Sequence, residues 1–209
     1  IKKITQKNII NSSNKFYMGL IQSLFKIHPS YDEILVSLLS RIKNSYLVLI
    51  TDKRSYEFKL LKERWNKKNK LLIERSIFIN KMGHMGTDDF LHITRSCDIM
   101  LDPFYFSGGV TFYEAMAYGI PFVTYPHNQK VKIVSAGYKQ MKIKNPPEAK
   151  SPEDYINLCK LYSKDKLLLE STKKELKKKA EKYLFNDNEI YKEYYEFFKK
   201  AVKESREKL

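Results

Sequence analysis

The chain has 209 residues, 43% of them hydrophobic, enough for a real core in one large or two small domains. A formal charge of +15 admits nucleic acid, an anionic membrane or phosphorylated ligands as partners. Two cysteines and four scattered histidines argue against a disulfide framework or a zinc site, and no apolar run approaches the roughly 20 residues that span a bilayer.

Cysteine usage fits a reducing compartment, so the cytoplasm is the expected location. Ile1 opens the chain, which reads as a piece of a longer polypeptide or a processed one, and no signal-peptide pattern follows it. The lysines are spread along the chain and interleaved with glutamates, as AT-rich coding alone would also give. Nucleic acid is therefore not the expected partner.

Residues 1–14 are polar and basic and read as an entry linker. Residues 15–19 read as a first strand and 20–26 as the loop after it. His28-Pro29-Ser30 is a turn, with Ser30 as the expected cap of a helix over 31–43, where Tyr31, Ile34, Leu35, Leu38, Leu39 and Ile42 recur at helical spacing. Asn44-Ser45 breaks it. An apolar run over 46–51 is a second strand, and 56–70 is a basic helix. A third strand spans 76–79, a loop 81–86, and a short helix 88–96, with Thr87 as its expected cap. Asp98 to Leu101 form a fourth strand, which Asp102-Pro103 stops because proline cannot continue a ladder.

Ser107-Gly108-Gly109 then turns the chain into a helix over 111–118, ended by Gly119-Ile120-Pro121, and a fifth strand covers 122–125. A helix over 128–141 and a linker over 144–150 follow. Ser151-Pro152-Glu153-Asp154 starts another helix, with serine as cap and acids near the positive dipole end. A lysine-rich helix over 164–183 and a last helix over 189–206 complete the chain, separated by Asn186-Asp187-Asn188. Tyr191, Tyr194, Tyr195, Phe197 and Phe198 form an aromatic stripe on the last helix, expected to pack against the body.

Strands alternating with helices predict an α/β fold, a parallel sheet with helices on both faces. Ligands of such sheets sit at the carboxyl ends of the strands, where the strand order reverses. The candidate loops are 20–26, 81–86, 102–109 and 126–132. Gly108-Gly109 before a helix leaves backbone N–H groups at the positive end of its dipole, an anion site. Glu114, one turn in, falls within reach of a ribose. The same residues equally fit a loop that needs positive φ, with Glu114 solvated. No Gly-x-Gly-x-x-Gly, Walker or kinase signature is present.

Leu101-Asp102-Pro103-Phe104, Ser107-Gly108-Gly109-Val110-Thr111, Glu114-Ala115 and Gly119-Ile120-Pro121-Phe122-Val123-Thr124 resemble the nucleotide half of GT-B glycosyltransferases. More narrowly, Phe25-Lys26-Ile27-His28-Pro29 before a helix and Asn44-Ser45-Tyr46-Leu47-Val48-Leu49 resemble segments of protein O-GlcNAc transferases, including their SPINDLY-like and bacterial relatives. The match runs from about Phe16 to Phe198 in order.

This resemblance implies a Rossmann-like domain over 15–145, the C-terminal half of a GT-B fold, with C-terminal helices over 151–209. It implies a UDP-sugar donor, usually UDP-GlcNAc, no cofactor or metal, and inverting transfer to serine or threonine hydroxyls of a protein acceptor. Carried over by position, Lys26 is the catalytic lysine on the diphosphate. The backbone at Gly108, Gly109 and Val110, with Thr111, holds phosphate, and Glu114 binds the ribose. Met85 meets the uracil, and Phe90 lies near the family's stacking histidine. The sequence departs from the family in placing Gly109 where it has histidine, Thr87 where it has a uracil-loop lysine, and Ser23 where it has glutamine, with Gln22 one residue earlier. The family's N-terminal catalytic half and tetratricopeptide repeats are missing from this chain and are its expected partners.

Lys130 and Lys132 read either as phosphate ligands or as exposed helix lysines, and His28 and His127 either as a base or as turn residues. Two further readings stay open. One is a GT-B enzyme using another nucleotide sugar on a glycan or lipid, and the other is a non-catalytic module that binds polyanions.

Overall fold

A computed structural model describes residues 14–52, 55–80, 86–128 and 132–207. Most of the expected linker, most of the 81–86 loop with Met85, and Lys130 lie outside these residues. The apolar runs form five strands: β1 Phe16–Gly19, β2 Ser45–Thr51, β3 Ser76–Asn80, β4 Ile99–Leu101 and β5 Phe122–Val123. They make one parallel sheet in the order β3-β2-β1-β4-β5. Successive side chains enter opposite cores. Met18, Leu47, Leu49, Ile99, Leu101 and Val123 face one side, and Tyr17, Val48, Met100 and Phe122 face the other. Burial on both faces is why these strands read as continuous apolar runs.

The first face is covered by α1 Asp32–Arg41, α2 Tyr56–Lys68, α3 Leu71–Glu74 and α7 Pro152–Lys164, through Leu35, Leu38, Trp65, Leu72, Tyr155 and Cys159. The second is covered by α4 Thr87–Arg95, α5 Val110–Tyr118 and α6 Lys132–Gln140, through Ile93, Phe112, Met116, Val134 and Tyr138. Helix α8, Lys166–Ala180, spans both, with Leu169 in the first core and Leu176 and Ala180 in the second. Gly119 caps α5 at φ 70°, and a Cβ there would strike the Lys173 carbonyl of α8.

Several boundaries differ from expectation, each for a local reason. Ser30 is not the cap of α1. It lies inside a 3-10 turn, Pro29–Tyr31, where its N–H donates to His28 Nδ1 at 3.2 Å. Gly86 takes the cap position of α4, and Thr87 is its first residue. The basic helix ends at Asn69, whose side-chain oxygen accepts from Leu71 N–H at 2.9 Å and starts α3, the local competition typical of asparagine. The fifth strand has only two ladder residues, followed by a parallel bridge from Thr124 to Glu148. The 144–150 segment is thus not a free linker. Thr124 N–H donates to Pro147 O at 3.0 Å and Ala149 N–H to Thr124 O at 2.8 Å, satisfying the sheet edge.

The last helix, α9 Glu189–Arg206, overturns one expectation. Its aromatic stripe does not pack on the body: Tyr191 is 73% exposed and Phe197 65%. The rings meet within the helix, Tyr194 on Phe198 at 6.1 Å between centroids. Helical spacing identifies an apolar face and says nothing of what covers it. Among the described residues, no helix is long and apolar enough to cross a membrane.

One buried charge locks the entry to α1 against α2. Asp32, 1% exposed, accepts from Arg64 Nε at 2.8 Å, Arg64 Nη2 at 3.0 Å and the Trp65 indole N–H at 2.8 Å. Arg64 Nη2 also donates to the Ile27 carbonyl at 2.8 Å, tying the 20–27 loop to this pair. Replacing Asp32 by alanine strands the buried Trp65 indole N–H and takes the counter-charge from partly buried Arg64, and should cost roughly 3 kcal/mol of unfolding free energy in urea titration. Lys68→Ala removes only an exposed pair with Glu33 and should leave the midpoint in place.

Candidate anion-binding site at the strand-order reversal

Strand order reverses between β1 and β4, so their connections leave in opposite directions and open a crevice at their carboxyl ends. Two loops fill its floor. After β1 the chain runs through buried Leu20, Ile21 and Gln22 into a 3-10 turn, Leu24–Lys26. After β4 it runs from Asp102 to Gly109 and into α5.

The second loop is built around Asp102, a carboxylate only 1% exposed. It accepts from Ser107 Oγ at 2.7 Å, Gly108 N–H at 2.8 Å and Thr124 Oγ1 at 2.6 Å. The turn is also tight: a Cβ on Gly108 would lie 2.7 Å from the Phe122 ring and 3.2 Å from Gln22 Nε2. Among the described residues only Gly119 is a glycine with positive φ. Gly108 is therefore needed for close approach and not for a left-handed turn. Gly109 has open space where a Cβ would be, so its backbone is accessible. Gly109 is the N-cap of α5, and among the described residues no side chain caps this helix start, which leaves the N–H groups of Gly109, Val110 and Thr111 without a side-chain cap there.

Three side chains converge on this helix end. Lys26 Nζ donates to Gln22 Oε1 at 3.0 Å and to the Ser107 carbonyl at 3.3 Å, and lies 4.4 Å from the Phe106 ring centroid. Gln22 Nε2 donates to Thr111 Oγ1 at 2.7 Å. Thr111 thereby keeps its own O–H for another acceptor, and the ammonium keeps one N–H. Burial lowers the Lys26 pKa from its usual value, and the Asp102 charge pulls it back up. Burial raises the Glu114 carboxyl and pushes Asp102 up to about 6, against its three hydrogen bonds and Lys26.

These groups surround a cavity of about 560 Å³, within the range of small-molecule sites. Lys26, Phe90, Gly109, Val110, Thr111 and Glu114 line it together, with Gln22 and the Gly86–Thr87 start of α4. Gly108 is buried behind the lining. Met85 lies outside the described residues. Lys132, His28 and His127 do not line the cavity. The two histidines instead flank Tyr105, at 4.5 Å and 6.0 Å between ring centroids. Among the described residues no group of three His, Cys, Asp or Glu side chains is placed to hold a metal ion.

Sequence reasoning missed two participants. Gln22 carried a signal as a glutamine one residue from the expected position, but only the 3-10 turn shows that it reaches both Lys26 and Thr111. Asp102 read as a strand terminator.

No family model matches the chain, and no curated protein does. Solved structures do. An O-GlcNAc transferase mutant from Thermobaculum terrenum superposes with a TM-score of 0.77 at 18% identity, over 93% of this chain and 38% of that one. HepE from Anabaena, solved with UDP and glucose, gives 0.60 at 14%, over 88% and 49%. The C-terminal domain of a group 1 glycosyltransferase (LpcC) from Francisella tularensis gives 0.57 at 16%, over 86% and 97%. The chain thus spans less than half the length of the first two. The chain has the Rossmann-like fold seen in the C-terminal half of GT-B glycosyltransferases.

The Asp102 pKa sets a pH dependence. A carboxyl raised from 3.8 to about 6 on folding is protonated more readily in the folded chain than in the unfolded one. Its contribution is full below about pH 4 and is lost as pH rises through about 6, by roughly 3 kcal/mol in total. The difference in unfolding free energy between wild type and Asp102→Asn should shift in the variant's favour across that window and stay level above it, measured by urea titration from pH 4 to 8.

Proposed function

We propose that the chain is the donor-binding half of a glycosyltransferase that takes a UDP-sugar. The observation that carries this reading is the hydrogen-bonded series Lys26–Gln22–Thr111 at the positive end of α5, in one cavity with Glu114. Transfer of the sugar breaks the anomeric C–O bond and adds one negative charge to the departing diphosphate, on the β-phosphate oxygen that the sugar leaves. The remaining Lys26 N–H, the Thr111 hydroxyl and the Gly109–Thr111 amides are fixed donors for that charge, held in place before it develops. Glu114, one turn along α5, accepts from the ribose hydroxyls. Phe90 and the start of α4 close the end where the uracil lies. Lys26 is the catalytic residue, stabilising the leaving group without a metal.

In its narrower form the donor is UDP-GlcNAc, and the acceptor is a serine or threonine hydroxyl of a protein, whose oxygen attacks the anomeric carbon with inversion as UDP leaves and gives up its proton to a base. The likeness to the Thermobaculum O-GlcNAc transferase over 93% of this chain supports that form. The acceptor and its base then belong to a second half that closes over the crevice. A second reading, another nucleotide sugar on a glycan or lipid, draws support from the likeness to HepE and from Gly109, which leaves open space where the O-GlcNAc transferases carry histidine.

Calorimetric titration of the 209-residue chain tests the site. UDP should bind, and Lys26→Ala and Glu114→Ala should each weaken it by roughly tenfold or more, the worth of a charge-assisted hydrogen bond. A folded sample that ignores UDP, or UDP binding untouched by both substitutions, contradicts the assignment. A panel of UDP-GlcNAc, UDP-glucose, UDP-galactose and GDP-sugars separates the two donor readings. Salt-sensitive binding to polyanions that UDP does not displace would favour a non-catalytic module instead.

A further inference from the structure

Asp102 has no role in the donor-site reading, yet it is the buried acid nearest its machinery. Burying an ionised carboxylate is costly, and a neutral asparagine would offer one acceptor oxygen where donors here reach both carboxylate oxygens. The carboxylate has no ion-pair partner within reach among the described residues. Its neighbours are three hydrogen-bond donors from two directions. Ser107 and Gly108 come from the turn, and Thr124 comes from the end of β5. Hydrogen bonds to an ionised acceptor are about twice as strong as neutral ones, so this carboxylate is a strong anchor for a three-residue turn.

The backbone of Asp102 is held as well. Tyr155 of α7 donates its hydroxyl to the Asp102 carbonyl at 3.3 Å, and Tyr31 and Tyr155 share a hydrogen bond of 2.7 Å beneath it. Fixing Ser107 by its side chain leaves its carbonyl as the acceptor for Lys26 Nζ. Fixing the Gly108 N–H inward leaves the next three amides for a ligand. The Asp102 charge also acts on Lys26 directly, favouring the ammonium form that burial opposes.

We infer that Asp102 is the positioning residue of the cradle: without touching the ligand, its carboxylate sets the 107–109 turn and, through the Ser107 carbonyl, the Lys26 ammonium, so that lysine and helix amides address one diphosphate. This rests on the donor-site reading above.

A double-mutant cycle tests it by titrating UDP and inorganic pyrophosphate into the wild-type 209-residue chain, Asp102→Asn, Lys26→Ala and the double variant. Circular dichroism confirms that each is folded. Tyr162→Phe, which removes a buried hydroxyl outside the cavity lining, is the control for general loosening. Asp102→Asn should weaken UDP by roughly tenfold, since an asparagine keeps the shape and loses the charge. The double variant should bind about as weakly as Lys26→Ala alone, because both substitutions disable one device. Tyr162→Phe should stay within twofold of wild type.

Losses that multiply, an Asp102→Asn affinity within twofold of wild type, or an equal loss in Tyr162→Phe each overturn the positioning role while the donor site stands. Wild-type binding to neither UDP nor pyrophosphate removes the donor-site reading and the inference with it. If Asp102→Asn does not fold, Ser107→Ala takes its place in the cycle. It deletes one donor to the same carboxylate, and a threefold or greater loss coupled to Lys26 supports the role, whereas an unchanged affinity overturns it.

Discussion

Two neighbouring strands whose connections diverge cannot both have their carboxyl ends covered by the same layer of helices. That geometric gap between β1 and β4 is what the rest of the site depends on. The 20–27 loop and the 102–109 loop enter it from opposite sides and would have no reason to meet anywhere else. Once there, they bring three polar side chains, a lysine, a glutamine and a threonine, into a space walled by the two apolar cores. Gln22 is buried and must find partners, and it finds Lys26 on one side and Thr111 on the other.

The cost of this arrangement is spread over elements well away from the cavity. Lys26 is held by a loop whose own carbonyl at Ile27 is gripped by Arg64, and Arg64 is oriented by Asp32 at the start of α1. Gly108 keeps its turn against Phe122, a β5 residue of the second core. The positions of donors at the helix end are therefore set by the packing of both layers. Moving either layer by a fraction of an ångström would pull apart the groups gathered at the start of α5.

Much of the fold was legible because a doubly covered parallel sheet writes itself as apolar runs separated by amphipathic helices. Residues 46–51 and 31–43 are such cases, and they appear as β2 and α1 with small shifts at the ends. The Gly108-Gly109 turn, Thr111 and Glu114 were legible as one group at a helix start because helix-end chemistry is local, and Gly109, Thr111 and Glu114 do line one cavity. What escaped was non-local. No pattern in the sequence says that residues 144–150 return to bridge Thr124. Nothing near Gln22 announces Thr111, 89 positions later. Asp102 served as a local stop signal, while its real partners, Ser107, Gly108 and Thr124, are gathered from two loops. The α9 stripe failed in the opposite way: its periodicity was read correctly and its surroundings were not.

That bare helix has a thermodynamic consequence. An isolated helix of its length is marginal in water, since nucleation is costly and most helical stability in proteins comes from burying one face. With its aromatic face uncovered, α9 leans on a few exposed side-chain pairs such as Lys192 with Glu189, which contribute little. Its helicity and the covering of its rings are then linked equilibria: whatever shelters the stripe raises the population of the helix, and whatever frays the helix weakens the shelter.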